Sequence, residues 1–226
     1  MGTWKTTDGG NSWTFFRTEP FNVMAFDPRG ANGWMSLVHV GQGRADYYRT
    51  TDAARNWMQC GQATRSSPVA VQLLGDGIGF GHTIKDGVGQ LLRTSDGGCK
   101  WDSVQTRFDF SGDRFNGLFF LNSQEGWVTG VYTPKLFHTR DGGVRWDEIP
   151  LTVGPGPGAR AVSVYFSTSR TGWIIASLPD FYGVLRTIDG GQRWEKMTAA
   201  DVGAAKLPED WRDGKLFQML ARANRR

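Results

Sequence analysis

The chain contains 226 residues, including 31 glycines, 10 tryptophans and 14 phenylalanines. This composition, without any long apolar stretch of helical periodicity, is typical of short strands joined by many turns and predicts an all-β fold. The net charge is only +4, and no basic stripe is interleaved with aromatic residues, which argues against a nucleic-acid partner. No apolar run approaches the roughly 20 residues that cross a bilayer, so we predict no transmembrane segment.

One phrase of eight residues, of the form Thr-x-Asp-Gly-Gly-x-x-Trp, returns along the whole chain. It is written TTDGGNSW, TTDAARNW, TSDGGCKW, TRDGGVRW and TIDGGQRW, and the second copy has lost both glycines but kept the frame. The spacing of its aspartates gives a period of about 45 residues, the length of a β-propeller blade. The aspartate and tryptophan pairs are Asp8 and Trp13, Asp52 and Trp57, Asp96 and Trp101, Asp141 and Trp146, and Asp189 and Trp194.

Other landmarks recur at fixed places in each repeat. A β-rich run (VMAF, VAVQLL, GLFF, VSVYF) comes first, and a glycine followed by Trp or Ile then opens a second strand. A third run (YYRT, LLRT, LFHT, VLRT) ends in the repeated phrase, and the residues after its tryptophan form a fourth strand. Four short strands per period predict a β-propeller of four-stranded antiparallel blades. Complete sets of strands cover residues 21–60, 68–105, 115–151 and 161–198 of a single domain spanning 1–226.

The two ends of the chain are expected to contribute to a further blade, which gives about five blades' worth of repeats. Residues 1–16 supply a third and a fourth strand, and residues 214–222, which include KLFQMLA, supply a candidate first strand. Sharing one blade between the termini would hide a sheet edge that otherwise invites aggregation. The alternative is that the chain is a fragment of a larger ring. The N-terminal MGTWKTTDGG is not typical of a secretion signal.

The repeated phrase is predicted to be a structural hairpin. Its aspartate can accept hydrogen bonds from amides of its own turn, and its glycines supply the positive φ values that such turns require. The tryptophan then packs against the base of the hairpin. A catalytic residue is needed once, whereas this aspartate occurs five times, and the phrase lacks the closely spaced oxygen ligands of a calcium loop. We therefore expect each copy to stabilise one blade.

These repeats resemble the Asp-box, or BNR, repeat first noted in sialidases. The fuller unit, with its Gly-Trp strand followed by RTxDGGxxW, resembles the photosystem II stability/assembly factor family. That resemblance covers nearly the whole chain. It implies a seven-bladed, non-enzymatic, extracytoplasmic helper that assembles or stabilises a membrane-associated complex through protein partners. A chain with about five blades' worth of repeats departs from that pattern.

In Asp-box propellers the box hairpin lies away from the ligand face. The resemblance therefore implies that the loops before each first strand and between the second and third strands form the binding face. Those loops are rich in arginine and aromatic residues, a composition that is favoured at protein interfaces. The predicted binding residues are Arg44, Arg65, Arg107, Arg114, Arg160, Tyr132 and Tyr182. A merely solvated cationic face remains the alternative for these arginines.

A sialidase-like glycoside hydrolase or a carbohydrate-binding propeller is the alternative function. Three arginines could clamp a sugar carboxylate, but no tyrosine and glutamate pair and no pair of carboxylates is marked out for acid/base chemistry. We predict no catalytic residue, no cofactor and no metal site, because the three histidines lie at inequivalent positions of different repeats. The pairing of Cys60 with Cys99 is left open by the sequence.

Overall fold

The structure is a computed structural model that describes residues 3–6, 8, 11–17, 23–39, 42–64, 67–106, 115–130, 135–151, 160–178 and 181–197. The chain divides into two compact units. Unit 1 comprises Met1–Asp86 with Gln90–Val104, and unit 2 comprises Gly87–Gly89 with Gln105–Arg226. The described residues contain strands, turns and bends but no helix, and so offer no helix that could span a membrane.

Unit 1 carries a two-stranded hairpin and, apart from the start of one strand, two four-stranded antiparallel blades. The hairpin strands are β1 (Thr3–Lys5) and β2 (Thr14–Arg17). Blade 1 consists of β3 (Val23–Phe26), β4 (Gly33–His39), β5 (Arg44–Thr50) and β6 (Met58–Thr64). Blade 2 consists of β7 (Ala70–Gly75), β8 (Ile78–Lys85), β9 (Val88–Thr94) and β10 (Asp102–Ser103).

Unit 2 carries two further four-stranded antiparallel blades. Blade 3 consists of β11 (Phe115–Phe120), β12 (Gly126–Gly130), β13 (Lys135–Thr139) and β14 (Asp147–Pro150). Blade 4 consists of β15 (Arg160–Phe166), β16 (Gly172–Leu178), β17 (Phe181–Thr187) and β18 (Glu195–Lys196). The predicted all-β class with four-stranded antiparallel blades is therefore confirmed. In every blade the strands pair in chain order.

This simple order gives each blade two ends with different connections. The Asp box joins the third strand to the fourth, and the turn from the first strand to the second lies at the same end. We call this the box end. The hairpin between the second and third strands and the approach to the first strand lie at the opposite end, which we call the hairpin end. The predicted binding loops are the connections at the hairpin end.

The glycine that opens the second strand makes room for an aromatic ring. In blade 4, Gly172 pairs with Phe166 across the β15–β16 register, and a Cβ on that glycine would lie 2.5 Å from the Phe166 ring. The Phe166 ring in turn stacks on Trp127 of blade 3, with ring centroids 3.9 Å apart, and meets Trp194 edge to face. Trp127 and Phe166 are completely buried. The Gly-Trp signature therefore forms the contact between consecutive blades of unit 2.

The N-terminal hairpin exposes positions that a complete blade buries. Trp4 and Trp13 are 55% and 56% exposed. Their counterparts in blade 4, four residues before and five residues after the box aspartate, are Leu185 at 0% and Trp194 at 6%. The difference arises because β1 and β2 form a two-stranded sheet, whereas β15 and β16 cover the blade 4 residues. The predicted partner strand at 214–222 lies outside the described residues and stays a prediction.

Candidate functional site

Each Asp box is held by the same set of hydrogen bonds within its own turn. In blade 3, the Asp141 Oδ1 atom accepts hydrogen bonds from the Thr139 hydroxyl at 3.1 Å and the Arg145 amide at 2.8 Å. The Thr139 hydroxyl oxygen also accepts from the amides of Asp141 and Gly143. The Asp and Thr contacts recur around Asp8, Asp52, Asp96 and Asp189. These carboxylates are engaged within their own turns, as a structural role requires.

The hydrogen bonds keep the box aspartates ionised. The amide and side chain of Asn56, together with the Thr50 hydroxyl, lower the pKa of Asp52 to about 2. The side chain and amide of Ser12 do the same for Asp8, whose pKa is also about 2. A carboxylic acid with so low a pKa is not protonated near neutral pH and cannot serve as a general acid there. The boxes therefore stabilise turns and do not have the titration behaviour of catalytic acids.

In the second box, two alanines occupy the positions of the glycines. Ala53 and Ala54 have φ values of 56° and 62°, in the left-handed region that Gly97 and Gly98 occupy in the next box. A left-handed alanine is strained because its Cβ approaches the following carbonyl oxygen. The fold of this turn therefore persists against the local preference of its residues. The Thr50 and Asp52 hydrogen bonds hold it in place.

Replacing Ala53 by glycine is expected to stabilise the protein. Ala53→Gly removes the left-handed strain and should raise the free energy of unfolding by about 0.5–1 kcal/mol. The reciprocal Gly97→Ala should lower it by about 1–2 kcal/mol, because φ is +79° and a Cβ there would lie 3.2 Å from Arg49 Cδ. Urea denaturation of both variants measures this. If both variants changed the free energy of unfolding by the same amount in the same direction, left-handed strain would not govern the stability of the box turn.

Consecutive blades of one unit are joined at the box end. In unit 1, the Arg49 Nη1 atom of blade 1 donates to the carbonyl of Asp96 in the blade 2 box at 3.2 Å. In unit 2, the Ser169 hydroxyl of blade 4 donates to Glu125 Oε2 of blade 3 at 2.7 Å, and Glu125 Oε1 lies 3.0 Å from His138 Nε2. Both Arg49 and His138 stand three residues before the box aspartate. Arg49 therefore reaches the next blade directly, whereas His138 contacts Glu125 of its own blade, which in turn accepts from Ser169 of blade 4.

A cleft lies beside each of these joints. The cleft in unit 1 has a volume of about 340 Å³ and that in unit 2 about 630 Å³. Residues lining the first include Asp27, Asn32, Arg49, Asp76, Ser95 and Asp96. Residues lining the second include Glu125, His138, Arg140, Ser169, Arg170 and Asp189. The cleft in unit 2 is predominantly polar, and both clefts are at the box end, away from the predicted binding loops.

The Ser169, Glu125 and His138 network joins blades 3 and 4, and its histidine is buried. His138 is only 3% exposed and its ring stacks on Trp127 with centroids 4.6 Å apart. Burial lowers the pKa of His138, and the nearby Arg140 charge lowers it further. The buried ring contacts Glu125 and stacks on Trp127, and it forms part of the cleft wall. Sequence reasoning missed this network, because only the change from Arg to His before the fourth box marks it.

Of the predicted binding residues, Arg44 is described together with its side-chain contacts. It begins β5, at the hairpin end of blade 1. Its Nε atom lies 3.2 Å from Asp46 Oδ1, and the same buried carboxylate lies 2.8 Å from His39 Nε2. Arg44 is therefore held by an ion pair, although 41% of its side chain stays exposed. It could present the remaining guanidinium surface to a partner.

Tyr182 and Arg160 belong to the hairpin end of blade 4. Tyr182 lies in β17 and packs against a cluster made by Trp173, Ile175 and Val184. Arg160 is the first residue of β15. Arg44 belongs to unit 1 and these two residues to unit 2. The other predicted binding residues lie outside the described residues and stay predictions; they are Arg65, Arg107, Arg114 and Tyr132.

The described part of the chain offers no group of three His, Cys, Asp or Glu side chains that could hold a metal ion. Its two cysteines, Cys60 in β6 and Cys99 in the box of blade 2, form a disulfide. This settles the pairing that the sequence left open. The bond crosses from blade 1 to blade 2 within unit 1.

Comparison with known proteins agrees with the repeats and the blades. The model of the family described as photosynthesis system II assembly factor YCF48 matches residues 81–206, which is more than half of the chain. The chain belongs to this family. A solved structure of YCF48 bound to a D1 peptide is 21% identical, with a TM-score of 0.52, and the alignment covers 91% of this chain and 76% of that one.

A glycoside hydrolase of family GH74 from Niastella koreensis is also similar in structure. It is 16% identical with a TM-score of 0.55, and the alignment covers 79% of this chain but only 30% of that enzyme. No curated protein matches the chain. At these identities the structural likenesses show the fold alone, which is the β-propeller. The family match over residues 81–206, in contrast, places the chain in the YCF48 family.

Proposed function

We propose that the chain is a non-catalytic protein-interaction scaffold that helps to assemble or stabilise a membrane-associated complex. The family match over residues 81–206 carries this proposal. The chemistry of the described residues agrees with it. The box carboxylates are engaged in turns, and the Glu125 and His138 pair is committed to a joint between blades. Fold alone would not distinguish a scaffold from an enzyme.

The partner we propose is a protein segment of such a complex. The YCF48 structure bound to a D1 peptide shows that a protein similar to this chain binds a peptide. The loops at the hairpin end, with their arginines and aromatic residues, have the composition of a docking surface. Arginine suits this role because its guanidinium can bind carboxylates in a bidentate manner. Arg107 and Arg160 precede different blades and are the residues that we expect to contribute most.

We propose an extracytoplasmic location, in the periplasm, a lumen or outside the cell. The resemblance to assembly factors suggests it, and the Cys60–Cys99 disulfide supports it. Disulfides form and persist in oxidising compartments and are rare in the reducing cytosol. The carbohydrate-active alternative has no observation in its favour beyond the shared fold. It is therefore retained only as an outcome of the test below.

Charge reversal at the hairpin end is expected to weaken partner binding while leaving the fold intact. We expect the Arg107→Glu, Arg160→Glu double variant to lose at least tenfold in capture of membrane-complex subunits, since two fully paired charges contribute at least about 1.4 kcal/mol. The measurement is quantitative capture from detergent-solubilised membranes of the source organism on the immobilised chain.

The matched control places the same charge change at the box end. Arg29 and Arg193 are exposed there, in the β3–β4 turn and in the box of blade 4, so the Arg29→Glu, Arg193→Glu variant should capture the same subunits as the wild type. Equal capture by both double variants would refute the proposed binding face. Capture of no membrane subunit by the wild-type chain, together with binding to a glycan array, would favour the carbohydrate-binding alternative.

A further inference from the structure

The Cys60–Cys99 disulfide joins two blades at a point where their backbones are in close contact. Cys60 lies in β6, the fourth strand of blade 1, and Cys99 lies in the box turn of blade 2. A Cβ on Gly61 would collide with the Cys99 carbonyl, and a Cβ on Gly98 would collide with the Trp34 ring. The box of blade 2 is therefore seated directly on blade 1. Both cysteines are only partly buried.

The equivalent joint in unit 2 is held without a disulfide. Cys60 stands three residues after the box tryptophan, and the same position in blade 3 is Ile149. Ile149 packs against the cluster that contains Trp194, and a Cβ on Gly191 would lie 3.2 Å from its Cγ2 atom. The counterpart of Cys99 in blade 4 is Gln192. Both joints contain apolar contacts, and the joint in unit 1 adds a covalent bond.

The covalent bond also fixes one wall of the cleft in unit 1. Ser95, Asp96 and Gly97 line that cleft, and only Gly98 separates them from Cys99 in the chain. Arg49 lines it from blade 1 and donates to the Asp96 carbonyl. Without the disulfide, this hydrogen bond, the packing of Gly98 on Trp34 and the edge-to-face contact of Trp101 with Trp34 would remain to seat the box. The disulfide therefore adds a covalent bond to the contacts that hold this wall of the cleft.

We propose that the Cys60–Cys99 disulfide is a redox-controlled latch that seats the blade 2 box on blade 1 and sets the width of the unit 1 cleft. A dithiol reductant supplies two electrons and two protons. The S–S bond breaks, each cysteine becomes a thiol, and the reductant is oxidised to its own disulfide. Reduction releases the box turn at 94–101 without unfolding the blades, because their strand pairing does not involve the bond. Reoxidation seats the turn again.

Amide hydrogen exchange with mass spectrometry tests the latch, and unit 2 provides an internal control. The full chain is compared before and after reduction with dithiothreitol, with thiol titration to show that the bond is open. We expect exchange at residues 94–101 to accelerate at least tenfold. Exchange at residues 187–194, the equivalent box seated against Ile149, should be unchanged. A Cys60→Ser, Cys99→Ser variant should reproduce the reduced pattern without reductant.

Three results would overturn the proposal. Unchanged exchange at 94–101 after complete reduction would show that the noncovalent contacts suffice. A parallel increase at 94–101 and 187–194 would show general destabilisation and no local latch. A disulfide that dithiothreitol cannot open while the chain stays folded would show that the bond is a permanent staple. If the double variant fails to fold, the reduced wild-type chain alone decides between these results.

Discussion

Trp127→Ala is expected to lower the free energy of unfolding by about 3–5 kcal/mol, which is typical of removing a large buried aromatic side chain. Trp127 is completely buried. Its ring lies between two parallel neighbours, Phe166 of blade 4 and His138 of its own blade. Truncation leaves a cavity at the contact between blades 3 and 4. Guanidinium denaturation, followed by far-ultraviolet circular dichroism, measures the loss.

Trp4→Ala provides the matched control for this prediction. Trp4 is 55% exposed and contacts Phe15 edge to face, with centroids 5.4 Å apart. The same truncation there should cost less than about 1 kcal/mol, because most of the ring is already in contact with water. Similar losses in the two variants would show that the stacked aromatic contact between blades does not dominate the stability of unit 2.

The second large effect is a loss of stability on mild acidification. Burial lowers the pKa of His82 from 6.5 to about 4, and His82 is only 4% exposed. The folded state therefore binds fewer protons than the unfolded state between these values. The contribution of the uncharged histidine to the free energy of unfolding should be fully present above about pH 6.5. It should decline by about 3 kcal/mol as the pH falls towards about 4. Burial lowers the pKa of His138 too, which adds to the loss in the same direction.

The Asp boxes should cause a second loss of stability, at lower pH than the histidines. Hydrogen bonds lower the pKa values of Asp8 and Asp52 to about 2. Carboxylates with lowered pKa values stabilise the folded state above their unfolded pKa, and this contribution is lost as the pH falls through the folded value. Stability should therefore decline again below about pH 4. The two steps are separable because histidine and aspartate titrate in different ranges.

Denaturant titrations from pH 8 to pH 3 check both steps. The His82→Gln variant removes one titrating group, so its stability should vary less than that of the wild type between pH 6.5 and 4. Below pH 4 the free energies of unfolding of the two proteins should fall in parallel, since their Asp boxes are the same. A wild-type stability that stays constant from pH 6.5 to 4 would contradict the burial of an uncharged His82.

The strands and the blades could be predicted because their signals are local. The glycine that opens a second strand, as at Gly172, makes room for the phenylalanine that ends the first, and the box places a turn before the fourth strand. Each of these signals lies within one repeat of the sequence. The left-handed Ala53 and Ala54 show that the frame of the box can persist after its glycines are lost. The hydrogen bonds of Thr50 and Asp52 explain why that copy still forms a turn.

The joints between blades could not be predicted from the repeat alone. Pairing Cys60 with Cys99 requires knowing that the position three residues after a box tryptophan faces the next box. The Glu125 and Ser169 contact has the same origin. Periodicity shows that blades exist but does not show which side chains meet across them. The predicted binding residues are harder still to derive from the repeat, since Arg44 and Arg160 begin strands whose preceding connections differ in sequence from one blade to the next.

Chemical cross-linking of lysines in intact membranes of the source organism, followed by mass spectrometry, tests the scaffold function most directly. Lys85 is exposed at the hairpin end of blade 2, and Lys100 is exposed at its box end. The scaffold function predicts cross-links from Lys85 to subunits of one membrane complex, with few or none from Lys100. Cross-links to such subunits that form only at Lys100 would contradict the proposed face. Their absence from every lysine of the chain would contradict the scaffold function itself.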